Sequence, residues 1–155
     1  NDINKGLNNQ FNFSSLPEVL GAETQLIVGD GRVANLKNFF RKYNSPLYDY
    51  ADLIVKVSDK YEFDYRLLPA IAMQESNLCK YIPKDSHNCW GWGIYGDNVI
   101  KFSSYSEAIE TVALGIKKHY LDKGLNTASK IMKKYTPSSN GGWAYGVNTF
   151  LRALE

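Results

Sequence analysis

The chain has 155 residues, a formal charge of +2, and 44% hydrophobic, 14% aromatic and 22% charged residues. That suits one globular core; the basic residues are too few in excess and too scattered for a nucleic-acid binder, and no apolar run reaches the roughly 20 residues that span a bilayer. The chain opens at Asn1 with no Met, basic leader or apolar signal core, so a mature or trimmed soluble fragment is expected.

Residues 1–29 start rich in Asn and Gln and carry no sustained period, apart from a possible short turn at Leu16–Leu20. They are expected to form an arm or linker lying over a domain at 30–155. Asp30 is placed to cap a first amphipathic helix over 31–43, with Val33, Leu36, Phe39, Phe40 and Tyr43 at helical spacing. Ser45-Pro46 predicts the start of a second, running to Tyr61 with Leu47, Tyr50, Ala51, Ile54 and Val57 on its buried stripe.

Asp64 caps a third helix in which Pro69 leaves the first turn ambiguous. Residues 79–102 then change character: Pro83, Gly91, Gly93 and Gly96 break helices, and a loop with a small hairpin is expected. Two cysteines, Cys79 and Cys89, lie close together there and fit one disulfide and an oxidising compartment.

Ser104-Tyr105-Ser106-Glu107 reads as a capping box opening a helix that ends near Lys123-Gly124. Thr127 caps a shorter helix stopped at Thr136-Pro137, and Trp143, Val147, Phe150, Leu151 and Leu154 give the last apolar stripe. About six helices around a cleft, with one small irregular β or loop segment, make an α-rich domain.

Glu75 stands out, because it is a lone acid on the apolar face that Leu68, Ile71, Ala72, Leu78 and Cys79 form at helical spacing. Burial disfavours the charged form of a carboxyl, which would leave an acid able to donate a proton near neutral pH, as glycosidic cleavage requires. A structural ion pair with a Lys or Arg would explain the same position. His87 and His119 stand apart with no Cys/His ligand spacing, so no metal site is expected. A Cys/His peptidase site is disfavoured by the pairing of the two cysteines, and Gly91-Trp92-Gly93 lacks the Lys-Ser/Thr of a phosphate loop. Eleven Tyr and three Trp supply flat faces that suit sugar rings or a core equally.

Four stretches, in order, resemble a known group of enzymes. Leu67-Leu68-Pro69-Ala70-Ile71-Ala72-Met73-Gln74-Glu75-Ser76 is similar to the helix ending in the Glu-Ser pair of soluble lytic transglycosylases and goose-type lysozymes. Asn88-Cys89-Trp90-Gly91-Trp92-Gly93 resembles the Asn-x-Phe-Gly-x-x element of autolysin-type endo-β-N-acetylglucosaminidases. Phe102–Ile109 is similar to the stretch that opens their next helix, and Lys134-Tyr135-Thr136-Pro137, with Asn140-Gly141 and Trp143, to their late Tyr-bearing turn. The transglycosylase Gly-Leu-Met-Gln element is absent, its place taken by Gly91-Trp92-Gly93-Ile94-Tyr95-Gly96.

This resemblance, over residues 30–154, implies a lysozyme-like fold that cuts β-1,4 bonds in the glycan strands of bacterial peptidoglycan without a cofactor. It implies Glu75 as the catalytic acid, Tyr135 facing it across the cleft, and Ser76, Asn88, Trp90, Trp92 and Tyr95 on the substrate. A monomer outside the cytoplasm, secreted or at the cell surface and of bacterial or phage origin, goes with it. A non-catalytic glycan-binding module on the same fold, or a lytic transglycosylase giving anhydro products, are the alternatives. Trp90 and Trp92 could instead anchor the core, Asn88 could be a turn residue and Tyr135 the end of a buried stripe.

Overall fold

The computed structural model describes residues 11–14, 22–93 and 97–155, with side chains from residue 31 onward in the first helix. Six α-helices account for most of it: α1 (Ala22–Lys42), α2 (Ala51–Lys60), α3 (Leu67–Ser76), α4 (Tyr105–His119), α5 (Ala128–Tyr135) and α6 (Gly142–Ala153). Short 3₁₀ turns at Pro46–Tyr50 and Leu121–Lys123 precede α2 and follow α4. The α-rich reading holds. Residues 77–104 carry an isolated bridge at Asn98 and, among the described residues, no hairpin.

Helix α1 begins at Ala22, so Asp30 is an interior position rather than a cap, and the division at residue 29 falls inside the helix. The apolar period starts only at Val33, which is why buried spacing gives no sign of the first turns. Ser45 does cap the 3₁₀ turn at Pro46–Tyr50: its Oγ accepts from Leu47 N at 3.2 Å and donates to the Leu78 carbonyl at 2.9 Å. Pro46 then sits in the first turn of that segment, where its missing N–H has no helical acceptor to lose.

Helix α3 is the centre of the molecule. Leu67, Leu68, Pro69, Ala70, Ile71, Ala72 and Met73 are all buried, so it is apolar nearly all round, as expected of a helix enclosed by others. Pro69 is the third helical residue, within the four whose N–H groups have no intrahelical partner, and it leaves the hydrogen-bond ladder intact. Asp64 organises the entry, accepting from Arg66 N at 2.9 Å and pairing with the Arg66 guanidinium at 2.7 Å. Helix α6 packs along α3, α5 packs against α6, and α2 bridges α1 and α4. Phe13, fully buried, ties residues 11–14 to this body through Phe13 N on the Asn126 carbonyl and Asp64 N on the Phe13 carbonyl.

The exit from α3 is abrupt. Asn77, Leu78 and Cys79 take φ values of 50°, 55° and 75°, three successive left-handed residues of which only Asn favours that region. Leu78 and Cys79 therefore leave the helix and do not continue the face that carries Glu75. Ser76 holds the turn, its Oγ accepting from Cys79 N at 2.9 Å, and the Cys79–Cys89 disulfide closes it with the Cα atoms 4.6 Å apart. For so short a loop the chain-entropy model gives about 3 kcal/mol of stabilisation.

Candidate active site

Glu75 lies on the last turn of α3, half-buried, and lines the smaller of two adjoining hollows. The smaller, about 320 Å³, is lined by Glu75, Ser76, Tyr81, Pro83, Asn88, Gly91, Tyr135 and Thr136. The larger, about 800 Å³, runs from Gly91 past Trp92, Ile100, His119, Tyr120 and Lys134 to Pro137 and Ser138. Gly91, Tyr135 and Thr136 border both and form the waist. Among the described residues lining the two hollows, Glu75 is the sole carboxylate.

No described Lys or Arg pairs with Glu75, which removes the ion-pair explanation for an acid at this position. Its partner is an indole: Trp143 Nε1–H donates to Oε1 at 2.8 Å. The other oxygen, Oε2, faces Gly91, and a Cβ there would stand 3.0 Å from it. Burial pushes the Glu75 carboxyl above its ordinary pKa, and the Trp143 hydrogen bond, which favours the charged form, offsets only part of that.

Tyr135 ends α5 and stacks on Trp143 with ring centroids 5.3 Å apart. Its hydroxyl donates to the Trp90 carbonyl, so while that bond holds the oxygen is free only to accept. Burial, then the neighbouring Glu75 and Tyr120, push the phenol well above its ordinary pKa, and it stays neutral. Tyr120, Tyr135 and Trp92 form a ring cluster with centroids 5.9–6.4 Å apart, and the Lys134 ammonium lies 4.9 Å over Tyr120. One wall of the larger hollow is thus aromatic with a cation at its rim.

The loop residues expected on substrate divide by role. Trp92 is half-buried in that wall, its indole so close to α4 that a Cβ on Gly115 would sit 2.2 Å from it. Trp90, expected on the sugar, is instead a core anchor: its side chain is 0% exposed and its Nε1–H donates to the Leu68 carbonyl at 2.9 Å. Asn88 is almost fully buried and binds its own loop, with Nδ2 on the Trp92 and Ile100 carbonyls and Oδ1 on Trp92 N. Ser76, equally enclosed, has its hydroxyl on the Cys89 and Ala72 carbonyls at 2.7 and 3.0 Å. Asn88 and Ser76 shape the hollow; their polar atoms do not reach into it free. Tyr95 lies outside the described residues.

Two participants escape sequence reasoning. Trp143 reads as one more member of an apolar stripe, although an indole in the first turn of a helix carries a donor that a core position must satisfy. Gly146 likewise gives no signal, yet a Cβ there would stand 1.8 Å from Gln74 Oε1, so it is what lets α6 approach the turn of α3 that bears Glu75. Among the described residues no cluster of His, Cys, Asp or Glu could hold a metal ion. No described helix is long and apolar enough to cross a membrane. No protein-family model and no curated protein matches the chain.

Proposed function

We propose that this chain is a glycosidase that cleaves β-1,4 bonds in the glycan strands of bacterial peptidoglycan, on a lysozyme-like domain, with Glu75 as general acid and then base. The observation that carries the reading is the setting of Glu75: a desolvated carboxyl, unpaired with any described cation, lining a hollow that adjoins a larger one with an aromatic wall. Such a carboxyl keeps its proton closer to neutrality than an exposed glutamate does. It protonates the glycosidic oxygen as the bond to the anomeric carbon breaks. The resulting carboxylate takes a proton from the incoming water or, in a transglycosylase, from the sugar's own hydroxyl.

The neutral Tyr135 oxygen, next to Glu75, can accept from that water or from a sugar hydroxyl, and the half-buried Trp92 offers a face for a sugar ring in the larger lobe. The disulfide suits a protein working outside the cytoplasm, where its substrate is, and the chain would act as a monomer. The test is the turbidity of purified cell walls with the wild type and Glu75→Gln. Clearance by the wild type and a loss of about 10²–10⁴-fold in the variant is the expected result. Glycan binding without clearance would favour a passive module.

A further inference from the structure

We infer that Trp143 is a positioning residue that holds the transferable proton of Glu75 on Oε2, the oxygen beside Gly91, so that the leaving oxygen is protonated at the waist. This rests on the reading of Glu75 as the acid. An indole N–H can only donate, and Trp143 Nε1 lies 2.8 Å from Oε1. In the protonated carboxyl the better acceptor is the carbonyl oxygen, so Oε1 takes that role and the hydroxyl falls to Oε2. Gly91, which a Cβ would bring to 3.0 Å from Oε2, borders both hollows.

The ring of Trp143 cannot easily turn away. It is buried and stacked on Tyr135, whose hydroxyl is itself held by the Trp90 carbonyl. Loop 88–92, α5 and α6 thereby fix one oxygen of an acid carried on α3. In the transfer, the Oε2–H bond breaks toward the glycosidic oxygen, which leaves with the electron pair of its bond to the anomeric carbon. Negative charge spreads over both carboxylate oxygens, and the N–H on Oε1 strengthens as a charge-assisted bond. The nucleophile's oxygen then bonds to the anomeric carbon and its proton returns to Oε2.

The test pairs kinetics with a readout that needs no turnover. Trp143→Phe keeps an aromatic, if smaller, ring and removes the N–H; kcat should fall about tenfold with KM within about twofold, and the descending limb of the pH–rate profile should move to higher pH. In the native protein, the ¹⁵N shift of the Trp143 indole should titrate with the Glu75 carboxyl, and the inflection should vanish in Glu75→Gln. An indole that does not titrate, or a Trp143→Phe enzyme with unchanged kcat and pH limb, overturns the inference. The indole experiment decides even where Trp143→Phe fails to fold. Wild-type turnover in Glu75→Gln would instead bring down the acid assignment, whatever Trp143 does.

Discussion

Gly91 presses its bare Cα against Glu75: at φ +60° it faces Oε2 so closely that a Cβ would stand 3.0 Å away. Gly91→Ala should therefore act twice, through the left-handed backbone, at about 1 kcal/mol, and through displacement of the carboxylate. Gly124, at φ +78° with nothing within 4 Å of a Cβ, isolates the first effect. Gly124→Ala should lower the melting temperature similarly and leave turnover at the wild-type level, whereas Gly91→Ala should lose at least about tenfold in kcat. Thermal melts and wall-clearing rates on both variants make the check.

The raised carboxyl of Glu75 is also a statement about stability. Its folded pKa lies above the unfolded one, so its contribution is fully present below the unfolded value and is lost as pH rises through the folded value. Glu75→Gln removes that dependence while its side-chain oxygen can still accept from Trp143. The variant's melting temperature should gain on the wild type as pH rises from the ordinary glutamate range toward neutrality, the other carboxylates cancelling in the comparison. A constant gap across that range would mean that Glu75 is not desolvated.

Asn88 makes three side-chain hydrogen bonds to the backbone of its own loop. Asn88→Ala should destabilise by about 1–2 kcal/mol by stripping those part-buried backbone groups of the side chain that pairs them. Asn88→Asp should be worse at neutral pH despite its identical shape, because a carboxylate would face the Trp92 and Ile100 carbonyls. Denaturant midpoints of the two variants distinguish this from a glycan-contacting Asn, whose loss would weaken binding and spare stability.

Helices α4 and α5 are the most legible in the sequence because apolar spacing and cap agree: Ser104 Oγ accepts from Glu107 N, and Thr127 Oγ1 from Lys130 N, as the residue types require, whereas α2, α3 and α6 open without a side-chain cap and are read from their apolar residues alone. The capping box differs in one respect, since the Glu107 carboxylate returns to Ser103 rather than to the Ser104 N–H. Glu75 is legible as an acid out of place, but the direction of its two oxygens is not, because Trp143 and Gly91 reach it from 68 and 16 residues away in sequence. Loop 77–104 is least legible: its shape depends on buried polar groups such as Ser76 and Asn88 meeting backbone atoms, a pattern with no period.

Glycosidic cleavage ordinarily takes a pair of carboxylates. Retaining and inverting glycosidases place two about 5–5.5 Å or 6.5–9.5 Å apart across the bond. The loop acids that could supply a second beside Glu75 are Asp85, Asp97 and Glu107. Asp85 and Asp97 are exposed and line neither hollow, while Glu107 is engaged by Ser103 at the start of α4. Under the proposed reading, with Glu75 the one carboxylate among the described residues lining the hollows, the second function would fall to the nucleophile and to a group of the substrate. Asp85→Asn with Asp97→Asn should therefore retain turnover within about twofold. Mass spectrometry of the released fragments then identifies the nucleophile: water leaves a reducing end, and an internal sugar hydroxyl leaves an anhydro ring lighter by one water. Under the proposed reading the reducing end is the expected product, because the Gly91–Gly96 stretch departs from the transglycosylase Gly-Leu-Met-Gln element. A rate loss of about a thousandfold in the folded double variant would place a second working carboxylate beside Glu75.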